Sequence, residues 1–242
     1  MIAGICHVKN EIDILELTLR HTLAEGVDHL WVEDHMSADG TWELLQELAL
    51  ELPLVLLRDE DPVFHQPERM TALAQSAYVS GADWVVPFDA DEFFWAVGGR
   101  TVAAALTSMP SSTQKLYCYS WRYLDFQRRD PTPQRAKVVF RASPEARLTA
   151  GNHDVSLPGG EWEILNVAHL QYRSREQFIR KINGLTAYEP LFAIQGRPAL
   201  LGLSDEELTR EWEALCAVET VTAPILLRGL SATPPSPLTT IP

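Results

Sequence analysis

The sequence is short of cysteine, of positive charge and of long apolar runs, and each shortage excludes something. Its three cysteines, Cys6, Cys118 and Cys216, are scattered without CxxC spacing. That argues against a disulfide framework and fits thiols in a reducing compartment. Neither cysteine nor histidine clusters along the chain, so a soft zinc site is not expected. Lys and Arg number 20 against 33 Asp and Glu, a formal charge of −13. Such a field disfavours nucleic acid and anionic lipid as bulk partners, while leaving room for a local basic site that holds a phosphorylated ligand. No apolar run approaches the roughly 18 residues a bilayer span requires. The opening stretch MIAGICHVKNE has neither a basic leader nor a small-residue cleavage site. A cytoplasmic location without a transmembrane segment is therefore the expectation, with room for peripheral association at a membrane face. There is no internal repeat.

What is present is a core-forming composition, 46% hydrophobic over 242 residues, enough for one large domain. The first hundred residues alternate strand and helix. IAGICHV reads as a strand ending at Asn10, an expected N-cap for a helix carrying Ile12, Leu15, Leu19 and Leu23 until Gly26. HLWVED is a second strand, SADGT a turn, and Trp42, Leu45, Leu48 and Leu52 mark a second helix. PLVLLRDE is a third strand, and PERMTALAQSAYVSG is a helix with proline at its start and glycine at its end. WVVPFDADEFFWAV, residues 84 to 97, reads as a fourth strand. This alternation predicts a mostly parallel sheet with helices on both faces. Beyond residue 100 the rhythm changes to a smaller mixed region: strands at KLYCYSWRYLDF, AKVVFRA and ILNVAHLQY, then helices from Ser174 and Ser204. The Pro- and Thr-rich tail, residues 231 to 242, reads as a loose end.

The chemistry-bearing residues stand where the strands end. Asn10 and Glu11 follow the first strand, Glu33, Asp34 and His35 the second, Arg58, Asp59, Glu60 and Asp61 the third, and Asp89, Asp91 and Glu92 the fourth. Ligands of open α/β sheets bind outside such carboxyl ends. Asp89 and Asp91 lie two apart, and on a strand such residues face one point. Flanking Phe88, Phe93, Phe94 and Trp95 imply burial, which makes unpaired acids costly. Two hard oxygen donors suit Mg2+ or Mn2+ as the compensating charge.

The runs HVKNEIDILELTLRHTLAEGVDHLWVEDHMSADGT and ADWVVPFDADEFF together resemble the family-two-like glycosyltransferases of the GT-A fold. The likeness is close over residues 5 to 95 and looser through KVVFR, GNHD and HLQYRSREQFIRK to about residue 187. It implies a single domain over residues 1–230, with a nucleotide-binding half (1–100) and an acceptor-side half (101–230). It implies transfer of a sugar from a nucleoside-diphosphate donor, UDP-linked, to a glycan or other hydroxyl acceptor, with inversion and with Mn2+ or Mg2+ as cofactor.

The same resemblance assigns Asn10, Glu11 and Asp34 to the base and ribose, and Asp89 to the ribose and metal. It makes Asp91 a metal ligand and His169 a further one. Gln66 and Arg69 match a segment running under the nucleotide, with Arg69 able to pair with Asp89 or merely to solvate a helix. Lys181 matches a position near phosphate. Asp39 reads as structural, an Asx turn through Thr41. In the GNHDV turn, Asp154 and His153 are the expected general base, with Glu161 and Glu163 as competitors. Two alternatives stand beside this reading. A nucleotidyltransferase would want a Gly-rich basic loop where HVKNEID stands, and a non-catalytic nucleotide- or glycan-binding relative would not need both acids at 89 and 91.

Overall fold

The computed structural model describes residues 1–160, 164–184, 200, 202–225 and 227–228. Within them the chain forms two compact units. The first comprises Met1–Trp121, Thr132–His169 and the stretch from Ile225.

Its centre is an eight-stranded sheet in the order β3-β2-β1-β4-β8-β6-β9-β5. The strands β1 (Ile2–Val8), β2 (His29–His35), β3 (Leu54–Asp59) and β4 (Trp84–Pro87) are mutually parallel. On the far side of β4, the pairings β4–β8 (Gln134–Arg141), β8–β6 (Lys115–Arg122) and β9 (Leu165–His169)–β5 (Glu92–Ala96) are antiparallel. The crossover helices α1 (Leu15–Ala24), α2 (Thr41–Leu48) and α3 (Gln66–Val79) join the parallel strands, and α4 (Val102–Thr107) follows β5.

Period-two alternation divides β1 and β2 between two cores. Ile2, Cys6, Val8, Leu30 and Val32 pack with Leu15 and Leu19 of α1, Leu45 and Leu48 of α2 and Val102 of α4. Ala3, Ile5 and Trp31 pack with Met70, Leu73, Ala74 and Ala77 of α3 on the other face. This is an α/β fold of Rossmann-like GT-A type, parallel where the strand–helix rhythm predicted it and mixed beyond.

Two local expectations are corrected. Asn10 does not cap α1, because its φ of 56° and its side chain, which accepts from Ala38 N at 2.8 Å, commit it to the next loop. The carbonyl of Glu11 instead receives the amides of Ile14 and Leu15. WVVPFDADEFFWAV is not one strand: β4 stops at Pro87, residues 88–91 turn, and β5 pairs with β9 at the opposite edge. The turn is closed by Glu92 N donating to Asp89 O at 3.0 Å.

The second unit holds Arg122–Pro131 and the described part of Leu170–Pro224. Here β7 (Arg128–Arg129) pairs antiparallel with β10 (Val221–Thr222). Helices α5 (Arg175–Asn183) and α6 (Asp205–Cys216) bury Tyr172, Phe178, Ile182, Leu208 and Trp212 between them. Ser204 and Glu207 form the capping box that the sequence predicts at the start of α6. Glu161, Glu163 and the tail lie outside the described residues.

Candidate active site

The turn between β4 and β5 carries the acids, and the positive charge beside them comes from the chain itself. The ammonium of Lys137, on β8 and buried, lies 2.8 Å from Asp89 Oδ2 and 2.7 Å from Glu92 Oε1. Burial works against its charge, but the two carboxylates raise its pKa above the ordinary lysine value. Burial drives Glu92 upward, with Lys137 partly offsetting and Asp89 adding to the rise. Asp91 has its Oδ1 3.3 Å from His169 Nε2 at the end of β9. Although burial penalises the imidazolium, the Asp91 carboxylate and then Glu92 raise the pKa of His169 above its usual value. Asp89 and Asp91 stand in a turn rather than on a strand, so strand alternation does not orient them; Asp89 meets Lys137, Asp91 meets His169, and Glu92 lies near both.

The residues around GNHD converge on the same turn. Asn152 Nδ2 donates to Asp89 Oδ1 at 3.1 Å, and the Gly151 carbonyl accepts from Lys137 Nζ at 2.8 Å. Gln66, at the start of α3, accepts from Gly151 N at 2.8 Å and donates to Asp89 Oδ1 at 3.5 Å. Gly151 is required: its φ is 71°, and an added Cβ would lie 2.8 Å from His153 Nε2. His153 places Nδ1 2.6 Å from the Ala136 carbonyl, an acceptor, so Nδ1 carries the proton and Nε2 the lone pair in the neutral ring. Asp154 is engaged differently, its Oδ1 accepting from Lys115 Nζ at 2.7 Å, Tyr117 Oη at 2.8 Å and Val155 N at 2.8 Å. Burial raises its pKa, but those donors outweigh it and hold the carboxyl below its usual value, which weakens it as a base.

At the parallel end, Asn10, Glu11 and Asp34 come together through the SADGT turn. Asn10 N donates to Ser37 Oγ at 2.9 Å, Glu11 N to Thr41 Oγ1 at 3.0 Å, and Ser37 N to Asp34 Oδ2 at 3.1 Å. Asp34 is fully buried, and its Oδ1 has no hydrogen-bond donor among the described residues. Asp39 makes the expected Asx turn, accepting from Thr41 N at 3.0 Å. Arg69 pairs not with Asp89 but with Glu33, through Nε at 2.8 Å and through Nη2. Glu33 is 2% exposed and on the α3 face of β2, so it is the nearer acid needing a counter-charge. Lys181 belongs to the second unit.

One group is absent from the sequence reading. His7, His35 and Asp59 are buried together at the ends of β1, β2 and β3, with one donor atom of each within 4.8 Å of the others. The expectation that histidines do not cluster is thus overturned. The signal was available in strand register: His7 lies beside Glu33, and His35 beside Asp59, at the carboxyl ends of adjacent parallel strands.

Fold and site together define an α/β protein of GT-A type with its acids gathered at the carboxyl ends of the parallel strands. No protein-family model and no curated protein matches the chain. Among solved structures it is similar to S. aureus TarS, at 12% identity over 86% of this chain and 41% of that one, with a TM-score of 0.45. It is also similar to TarS 1–349 in complex with UDP-GlcNAc, at 11% identity, 86% and 69% coverage and a TM-score of 0.49. For TarS 1–349 in complex with UDP the values are 12%, 86%, 68% and 0.46. The chain thus spans about two-fifths of the first of these, and likeness of this degree carries no argument about activity.

Proposed function

We propose that this protein transfers a sugar from a nucleoside-diphosphate donor, with UDP-sugars the first to try, to a hydroxyl acceptor. The observation that supports this most is the convergence of three distant segments at the carboxyl end of β4. Asp89 is tied to the 151–152 turn, and Asp91 to His169. Residues 1–100 contribute the acids, and the later stretch contributes His153 and His169.

Asn10, Glu11 and Asp34 are the residues to receive base and ribose. The buried Asp34 Oδ1, lacking a donor among the described residues, is a strong acceptor for a ligand N–H or hydroxyl once the SADGT turn admits it. Asp89, fixed by Lys137, Gln66 and Asn152, is preorganised and cannot follow a ligand. Asp91 and His169, a carboxylate beside an imidazole, are a donor pair that fits Mn2+ or Mg2+. When bound there, such an ion supplies Lewis-acid stabilisation to the diphosphate leaving group. In a single displacement the acceptor oxygen bonds to the anomeric carbon as the bond to the diphosphate oxygen breaks, inverting that centre. The acceptor proton passes to a base; of the two candidates, Asp154 is held down by its donors, which favours the imidazole of His153.

The test is release of nucleoside diphosphate from a panel of nucleotide sugars with Mn2+, first with water as acceptor. Slow release is expected from at least one donor. Asp91→Asn should abolish it, and His153→Ala should lower acceptor-dependent transfer about 10²–10⁴-fold, the usual worth of a general base. Binding of donors without release under either metal would instead make the protein a nucleotide-sugar binder.

A further inference from the structure

The geometry points to a second metal site, distinct from Asp91 and His169: a transition-metal centre, zinc by preference, formed by His7, His35 and Asp59. His7 Nε2 lies 3.4 Å from Asp59 Oδ2, and His35 Nδ1 hydrogen-bonds the same oxygen at 3.1 Å, through a proton that a bound ion would replace. Ligand atoms about 2.0–2.1 Å from a tetrahedral ion stand about 3.3–3.4 Å from one another. The two measured separations are therefore close to the edges of such a tetrahedron, with the third also under 4.8 Å.

A second observation points to a ligand. The His7 side chain is fully buried, yet neither ring nitrogen has a hydrogen-bond partner among the described residues. Its 3.4 Å approach to Asp59 is an ionic distance without hydrogen-bond geometry. An imidazole left this way in a protein interior loses its hydration and gains nothing for it. A cation placed among the three groups would take up that lone pair.

The surroundings orient the ligands. Asp59 Oδ1 accepts from Asp61 N at 3.2 Å, which turns Oδ2 toward both histidines. Phe64 stacks on His7 at 5.1 Å between centroids and meets His35 edge-on at 5.4 Å, covering the group with an apolar ring. Arg69 Nε stands 3.6 Å from Asp59 Oδ2, which opposes a cation. Its hydrogen bonds nevertheless go to Glu33, so Asp59, Glu33 and Arg69 together keep one negative charge for the ion. Two imidazoles and one carboxylate suit Zn2+ or Co2+ over Mg2+ or Ca2+. Three protein ligands leave a fourth position for water or a ligand oxygen.

The test uses the full chain, stripped with chelator and titrated with CoCl2 as a spectroscopic probe and then ZnCl2. One equivalent of Co2+ should give visible d–d bands of tetrahedral intensity, and Zn2+ should displace them. At a hundredfold excess over its Kd, Zn2+ should raise Tm by roughly 5–11 °C. His35→Gln and Asp59→Asn, each checked for a native circular dichroism spectrum, should lose the bands, while Asp91→Asn keeps them. Should either variant fail to fold, the unaltered chain still decides: no bands and no Zn2+-dependent shift overturns the site. Bands that survive both folded ligand variants, or vanish with Asp91→Asn alone, place the cobalt elsewhere and also overturn it.

Discussion

The carboxyl end of β4 and the carboxyl ends of β1 to β3 bury acids in the same unit, yet they treat the charge differently. At β4 the compensation is tethered: Lys137 reaches in from β8 between Asp89 and Glu92, and His169 from β9 meets Asp91. At β1 to β3, Arg69 answers Glu33, while Asp59 faces two histidines, one of them neutral and without hydrogen-bond partners among the described residues. A covalently supplied cation makes a site permanent and rigid; one supplied from outside makes it responsive to what is bound. The antiparallel half of the sheet explains the difference. It brings β8 and β9 next to the β4 turn, whereas β3 is an edge strand whose end meets Arg69 of α3.

The largest effect should come from removing the tether. Lys137→Met leaves the buried Glu92 and the half-buried Asp89 without the ammonium between them, and breaking a buried pair from one side costs about 3–5 kcal/mol. Urea denaturation should show that loss, and the double variant Lys137→Met/Glu92→Gln should recover part of it. A loss under about 1 kcal/mol in the single variant would mean the acids are compensated otherwise, and the contrast with β1 to β3 would collapse.

The sequence made the tethered site only half legible. Asp89, Asp91 and His169 were visible as polar residues at strand ends, and GNHD as a turn. Lys137, inside AKVVFRA, carries no local signal. A lysine in an apolar strand reads as snorkelling or edge until the partner strand is known, and here β8 pairs with β4 across about fifty residues of intervening chain. The opposite site failed for a related reason. His7, His35 and Asp59 are each unremarkable alone; only in-register parallel pairing stacks them. The parallel half of the fold was legible because its rule is local, apolar runs alternating between strand and helix period. The break at Pro87 was not, because apolar residues continue straight through it from Trp84 to Trp95.

A third buried histidine sharpens the comparison, because its hydrogen-bond partners are a carbonyl and an amide rather than an acid. His21, in α1, places Nε2 2.7 Å from the Phe94 carbonyl and receives Arg228 N on Nδ1 at 3.2 Å, so it is satisfied only as the neutral Nε2–H tautomer. Burial lowers its pKa to about 4, despite the Phe94 hydrogen bond. The unfolded chain therefore takes up a proton near pH 6.5 that the folded chain refuses until about pH 4. Stability from this group is intact above pH 6.5 and falls as pH drops through that window, by up to about 3 kcal/mol. His21→Gln should flatten the profile between those limits in denaturation measured at a series of pH values. An unchanged slope in the variant would mean that burial does not hold this ring neutral.

The smallest effect should be at Asp154, where the tethered pattern recurs near the surface. Its Oδ1 takes three donors, Lys115, Tyr117 and Val155 N, and its side chain is 46% exposed while that of Lys115 is 8% exposed. Asp154→Asn keeps the shape and an acceptor oxygen but removes the charge that Lys115 faces. The expected cost is about 1–2 kcal/mol of stability, below the roughly 1.5–3 kcal/mol of a hydrogen bond to a charged group because solvent screens this half-exposed carboxylate. Sugar transfer should fall less than tenfold, because a carboxylate held below its usual pKa by three donors takes up a proton poorly. The measurement is kcat for acceptor-dependent transfer beside urea denaturation of the same variant. A loss of a hundredfold or more with unchanged stability would reverse the assignment. Asp154 would then be the base, and His153 the group that orders the Gly151 turn around it.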